Sequence, residues 1–121
     1  MLLEFNVENF RSIGEKQTLD LRPSKERNHP GSVFGTKNAR ALKVIGVYGP
    51  NASGKTNLVR AFQAMESIVR RSATRMNVGD RITPIVPFRL ARKSISQPSK
   101  FEVVVLLDDV LYVYGLSLIH I

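Results

Sequence analysis

The chain has 121 residues, 43% of them hydrophobic, and a net charge of +8, which favours one globular domain or part of one. It contains no run of 18 apolar residues, so we expect no membrane span, and its first residues do not have the pattern of a signal peptide. The absence of cysteine excludes disulfides and cysteine-ligated metals, and the two histidines are far apart in sequence. We therefore expect a cytoplasmic protein without a histidine metal site.

The first 40 residues predict two strands and a loop. Leu3, Phe5 and Val7 alternate with polar residues, which is typical of a half-buried strand. Residues 16–22 alternate again and are expected to pair back as a second, antiparallel strand. Residues 22–40 are polar and contain prolines and glycines, so we expect a long mobile loop there.

The centre of the chain predicts a phosphate-binding loop between a strand and a helix. Lys43 to Tyr48 is an apolar run rich in β-branched residues and is interpreted as a buried parallel strand. Gly49 to Thr56 fits the pattern of Gly, four residues and Gly-Lys-Ser/Thr. Apolar residues at helical spacing then predict a helix from Thr56 to about Arg71.

These residue types suit a magnesium–nucleotide complex. Backbone N–H groups from Ser53 to Thr56 can converge on an anion at the N-terminus of the helix. Gly49 and Gly54 permit a close backbone approach. Lys55 can reach the β- and γ-phosphate oxygens, and the Thr56 hydroxyl can bind Mg²⁺. Hydrolysis also needs a carboxylate behind the metal and a group that positions water.

The remaining segments predict an irregular stretch followed by strands. Residues 72–81 and 91–100 are polar connectors, and the two prolines within residues 82–90 favour an extended edge segment over a central strand. Two β-rich runs then flank Asp108 and Asp109. This pair has two interpretations: a hairpin turn, which we favour, or the metal carboxylate of a compact NTPase, with Asp108 at the metal.

Positive charge is concentrated downstream of the phosphate loop. Residues 49–100 contain 10 basic and 2 acidic side chains, whereas residues 101–121 contain 3 acidic and no basic ones. The excess predicts either an anionic partner such as DNA or RNA, or a solvated face whose acidic partner lies elsewhere. No aromatic residues interleave with the basic ones as a stacking platform would require.

The sequence around these motifs resembles a family of ATPases. Gly49 to Leu58 is similar to the ATP-binding loop of ABC-type ATPase heads of the SMC, RecF and overcoming-lysogenization-defect groups. Phe5 to Ile13 resembles their first strand and its aromatic-basic-Ser turn. The stretches Pro87 to Leu90, Pro98 to Val103 and Tyr112 to Gly115 look most like bacterial AAA15/AAA21-type ATPases, many of which occur in phage-defence operons.

The resemblance implies an α/β P-loop NTPase fold, specifically the N-terminal lobe of an ABC-type ATPase head. That lobe combines an antiparallel β element, a phosphate-loop strand and one main helix. It further implies Mg-ATP hydrolysis coupled to dimerisation of two heads, with Lys55 acting in catalysis and Thr56 binding the metal. The residues expected to contact the nucleotide are Asn51, Ala52, Ser53, Gly54, Lys55, Thr56, Asn57 and Arg11.

The resemblance also implies motifs that we could not locate. No ABC signature, Walker B glutamate or switch histidine is assignable, and Gln97 lies in a Pro/Ser-rich connector where a Q-loop glutamine is not assignable either. We therefore expect residues 1–121 to form one partial ATP-binding domain, with a tail that departs from the family from Leu118 onward. The alternatives are a nucleic-acid-binding module with an incidental phosphate loop and the compact NTPase that uses Asp108.

Overall fold

The computed structural model describes residues 1–25, 29–72 and 85–119. Its elements, in chain order, are β1 (Leu2–Glu8), β2 (Gln17–Asp20), a 3-10 turn (Pro30–Ser32), β3 (Val33–Gly35), β4 (Arg40–Leu42), α1 (Lys55–Ser72), α2 (Arg92–Ile95), β5 (Ser99–Leu107) and β6 (Val110–Leu118). Within these ranges, no helix is both long enough and apolar enough to cross a bilayer.

A four-stranded antiparallel sheet in the order β2-β1-β5-β6 forms the body of the molecule. The two predicted N-terminal strands are confirmed, because β1 and β2 pair antiparallel with Phe5 opposite Leu19. β1 also pairs with β5, the strand that follows the phosphate loop and its helix, with Phe5 opposite Val103. The sheet therefore joins the first residues of the chain to its last strands.

Helix α1 covers one face of this sheet. Phe5, Val7 and Phe101 from the sheet form one buried cluster with Ala61 and Met65 from the helix. The Phe5 and Phe62 rings lie 4.6 Å apart between centroids, a separation typical of favourable aromatic pairs. The predicted helix is thus confirmed, and its apolar stripe packs on the strand with the alternating pattern.

A second, smaller core lies on the other face. The register of β1 against β5 shifts between Leu2 and Glu4, so β1 has one extra residue at this point. The irregularity lets Leu3 pack with Ala41, Val104 and Leu106. Since Val104 and Leu106 alternate with Val103 along β5, this cluster lies on the face opposite α1.

The region expected to be a long loop contains a small hairpin. β3 and β4 pair antiparallel, with Phe34 opposite Ala41, and Ala41 is fully buried. The loop prediction for residues 22–40 is therefore wrong for residues 30–40, because a short apolar hairpin can pack against the sheet even within a polar sequence; residues 26–28 lie outside the described residues.

The predicted strand before the phosphate loop is also absent. Residues 43–48 adopt no regular structure, and Val44 and Tyr48 are 83% and 95% exposed. Every strand pairing in the described part of the chain is antiparallel, so no described strand lies alongside this run to satisfy its backbone in a parallel ladder. An apolar composition specifies a buried strand only where neighbouring strands exist.

The segment with two prolines is not a central strand, as expected. Residues 82–84 lie outside the described residues, while residues 85–90 form no strand and run beside the turn that follows β1. There the Arg11 N–H donates to the Val86 carbonyl at 2.8 Å. Ile85 packs against the larger core.

Candidate functional site

The phosphate loop turns sharply into helix α1. Ala52 and Gly54 have positive φ angles of 63° and 94°, which curve the backbone around the start of the helix. Gly54 then accepts the Leu58 N–H at 3.1 Å. The N–H groups of Lys55, Thr56 and Asn57 have no acceptor one turn earlier within the helix and point from its N-terminus. This arrangement suits an anion.

The Lys55 ammonium folds back over its own loop. It donates to the carbonyl oxygens of Gly49 and Pro50, the latter at 2.8 Å, and lies 3.5 Å from Ser53 Oγ. An ammonium has three donor hydrogens, and these three acceptors can use all of them. A phosphate that binds Lys55 must therefore replace at least one of these contacts.

The turn after β1 supports the start of the helix. Asn57 Nδ2 donates to Ser12 Oγ at 2.7 Å, and Asn57 Oδ1 lies 3.5 Å from Arg60 Nη1. A Cβ added to Gly54 would lie 3.2 Å from Ser12 Oγ, so the two backbones approach closely. Asn57, expected to contact the nucleotide, thus binds Ser12 and fixes the β1–β2 turn against the loop.

An open cleft of about 500 Å³ lies between the phosphate loop and the β1–β2 turn. Its wall is mixed: Ile13, Leu19 and Leu58 are apolar, whereas Gln17 and Lys55 are polar. A cleft with an apolar wall at one side and a cation at the other can hold an organic ring joined to an anionic group. Of the residues expected to contact the nucleotide, Ser53, Gly54 and Lys55 line this cleft.

Arg11 lies on the same turn but does not line the cleft. Its guanidinium carbon is 5.5 Å from the centre of the Phe10 ring, a cation–π distance, and its Nε is buried without a hydrogen-bond partner among the described residues. Its φ of 52° is unusual for an arginine and is fixed by the turn. The expected nucleotide contact of Arg11 stays a prediction.

Asp108 and Asp109 form a hairpin turn, as favoured from the sequence. Leu107 pairs with Val110 across a two-residue loop, and both aspartates have positive φ angles of 49° and 61°. Such angles are those of a type I′ turn, which matches the twist of the two strands. Both aspartates border a separate cavity beside Phe34 and not the cleft at Lys55. In the described residues, no group of three or more His, Cys, Asp or Glu side chains could hold a metal ion.

Sequence reasoning did not predict the contacts of two organising residues, Asn9 and Ser12. Asn9 is buried with a φ of 53°, and its amide binds the backbone of residues 88–98. The signal that could have indicated Asn9 is its position directly after the strand pattern, since asparagine tolerates positive φ better than most residues. Ser12 belongs to the aromatic-basic-Ser turn that the resemblance indicated, but no local pattern could indicate its partner Asn57, which is 45 residues away.

A comparison with known families agrees with this geometry. Residues 44–119, about three fifths of the chain, match the AAA_21 family, described as "AAA domain, putative AbiEii toxin, Type IV TA system". The chain belongs to the AAA_21 family. The matched range contains the phosphate loop, helix α1 and the β5–β6 hairpin. No curated protein matches the chain.

AAA_21 membership confirms the AAA21-type resemblance found in the sequence. It implies a P-loop NTPase and nucleotide binding of the ATPase type, usually with Mg²⁺, and the mixed α/β structure is consistent with that. Membership of the AAA_21 family therefore suggests that the chain binds a nucleotide.

Proposed function

We propose that this AAA_21 domain binds Mg-ATP at residues 49–56, with residues 1–121 forming one partial ATP-binding domain. The observation that carries the proposal is the position of Lys55. It is the first residue of an 18-residue helix, and its ammonium lies over the loop that wraps the helix N-terminus. A triphosphate there would meet a cation, unpaired N–H groups and the positive end of the helix dipole together.

The residues present fit a magnesium–nucleotide complex in part. Thr56 is exposed in the first turn of α1 and can supply one hydroxyl ligand to Mg²⁺. Mg²⁺ commonly takes its other ligands from phosphate oxygens and water. The bound metal would neutralise phosphate charge, while Lys55 and the loop N–H groups hold the phosphates in place. Asn51, Ala52 and Asn57 are proposed to shape the loop around them.

We further propose that ATP hydrolysis is coupled to dimerisation of two heads, as in ABC-type ATPases, and uses catalytic groups beyond those that the described residues supply, in a DNA-related or phage-defence system. Two observations support a dimer of this kind. Residues 49–53 are all exposed, so bound phosphates would be open to a second protein surface. Among the described residues, no carboxylate lines the cleft at Lys55, so the missing groups would have to come from elsewhere.

The test is ATP binding by calorimetry in wild type and Lys55→Ala. Loss of the ammonium removes a charge-assisted contact, and we expect ATP affinity to fall by about 1.5–3 kcal/mol, roughly 10- to 150-fold. Lys37→Ala removes an exposed lysine in the β3–β4 turn and serves as the matched control, since it should leave affinity unchanged. Equal affinity of wild type and Lys55→Ala would refute the proposed site.

A second candidate function is nucleic-acid binding that does not need the nucleotide. The observation in its favour is the excess of basic side chains in residues 49–100. Nucleic-acid binding that persists in Lys55→Ala without ATP would support it. The compact NTPase has no comparable support, because Asp108 lies in the hairpin turn.

A further inference from the structure

The basic residues after the phosphate loop fall into two groups with different surroundings. On helix α1, Arg70 forms an ion pair with Glu66 at 2.9 Å, and Arg60 lies near the Asn57 side chain. Arg75 and Arg81 lie outside the described residues. Two of the basic side chains on α1 therefore already interact with side chains of the same helix.

The second group is the cationic loop, defined here as residues 89–93, which includes the first two residues of the short helix α2. Residues 85–100 contain four basic and no acidic side chains. Lys100 lies 3.9 Å from Glu8. The other three, Arg89, Arg92 and Lys93, are exposed, and none of them forms an ion pair within the described ranges. Five consecutive residues thus carry three cations that have no ion-pair partner among the described residues.

One buried side chain fixes both ends of the cationic loop. Asn9 is only 4% exposed. Its Oδ1 accepts the Phe88 N–H at 2.9 Å, directly before the loop, and its Nδ2 donates to the Ser94 carbonyl at 2.7 Å, directly after it. The same Nδ2 also reaches the Gln97 carbonyl at 2.9 Å. These hydrogen bonds hold the backbone on both sides of the cationic loop against the turn after β1.

Neighbouring contacts extend this anchoring toward the phosphate loop. The Arg11 N–H binds the Val86 carbonyl at 2.8 Å, and the Phe88 ring packs close to Gly14. Ser12, on the same turn, accepts from Asn57 in the first turn of α1. The cationic loop is therefore attached to the turn that supports the candidate nucleotide site. Because the backbone that carries the cations is held before any ligand binds, little ordering of that backbone opposes binding.

We propose that the cationic loop is a docking surface for the phosphate backbone of nucleic acid. Its three cations can contact successive phosphates, the interaction that dominates non-specific nucleic-acid affinity. The loop contains no aromatic residue, so it lacks a base-stacking platform and should bind without strong sequence preference. This inference rests on the DNA-related role proposed above and does not depend on ATP binding.

The experiment measures binding of a fluorescein-labelled 20-bp DNA duplex by anisotropy at several salt concentrations. The test variant combines Arg89→Gln, Arg92→Gln and Lys93→Gln. The matched control combines Lys16→Gln, Lys25→Gln and Lys37→Gln, three exposed lysines around β2 and in the β3–β4 turn. Both variants lose three positive charges. Circular dichroism checks their folding, and calorimetry with ATP tests the nucleotide site separately.

If the cationic loop docks DNA, the negative slope of log affinity against log salt should become shallower by about 2–3 in the test variant and stay near wild type in the control. Equal changes in both variants would mean that net charge alone attracts DNA, and no change in either would exclude contact at the loop. Either result overturns the proposal. So does binding to vesicles of anionic phospholipid in the absence of DNA binding. Failure of ATP binding alone would overturn only the proposed function.

Discussion

Two structural features favour glycine at position 54. Its φ of 94° lies where a side chain is strained, and an added Cβ would lie 3.2 Å from Ser12 Oγ. We expect Gly54→Ala to destabilise the fold by about 1–2 kcal/mol and to weaken ATP binding, because the loop must shift away from Ser12. Urea unfolding and calorimetry measure both effects. Gly31→Ala is the control, since an added Cβ there meets nothing within 4 Å.

The hydrogen bonds of Glu4 predict that the stability of the fold decreases at acid pH. Hydrogen bonds from Arg22 and then Asn6, each 2.8 Å, lower the pKa of Glu4 below its ordinary value of 4.5. The Glu4 carboxylate therefore binds a proton less readily in the folded state than in the unfolded chain. The resulting stabilisation is full above the unfolded pKa and is lost as pH falls through the folded pKa.

Glu4→Gln should remove that pH dependence. The Arg22 side chain is partly exposed, so solvent screens the pair and we expect a contribution of about 1 kcal/mol or less. Unfolding free energies measured between about pH 5 and about pH 3 should fall less steeply in Glu4→Gln than in wild type. Glu15→Gln, at an exposed glutamate in the β1–β2 turn, is the control. Parallel curves for Glu4→Gln and wild type would contradict the assignment.

At the scale of elements, the β5–β6 hairpin offers a test of the role of its two aspartates. Both have positive φ angles, for which Asn-Gly is the preferred pair in a type I′ turn. Asp108→Asn combined with Asp109→Gly should raise the unfolding free energy by about 0.5–1 kcal/mol and leave ATP affinity unchanged. If Asp108 instead served the metal, the same variant would lose magnesium-dependent ATP binding.

Elements whose own residues carry a pattern were predicted correctly, whereas an element that depends on distant neighbours was not. β1, α1 and the hairpin turn were predicted because their own residues carry the pattern: alternation, helical spacing and turn-forming aspartates. The run Lys43–Tyr48 was predicted wrongly as a strand, because a parallel strand depends on neighbours that its own sequence does not encode. In the candidate site, the loop residues were predictable from their motif, whereas Asn9 and Ser12 act through partners distant in sequence.

At the scale of the whole molecule, two of the exposed apolar stretches among the described residues favour association. Val44, Val47 and Tyr48 are exposed before the phosphate loop, and β6 is an edge strand whose residues from Val110 to Tyr114 are all exposed. No Lys or Arg occurs in residues 101–121 to discourage edge-to-edge pairing. The purified chain should therefore tend to associate despite its net charge of +8. Its mass in solution needs to be known before its activity is interpreted.

The last prediction is that the 121-residue chain binds ATP without turning it over. Hydrolysis requires a carboxylate at the metal, a group that positions water and neutralisation of transition-state charge. Among the described residues, the site offers Lys55 and Thr56, while Asp108 and Asp109 border a different cavity. Phosphate release with Mg-ATP should therefore stay at background in wild type, Lys55→Ala and Asp108→Asn. Turnover of about one per second that both substitutions abolish would instead establish a compact NTPase with Asp108 at its metal.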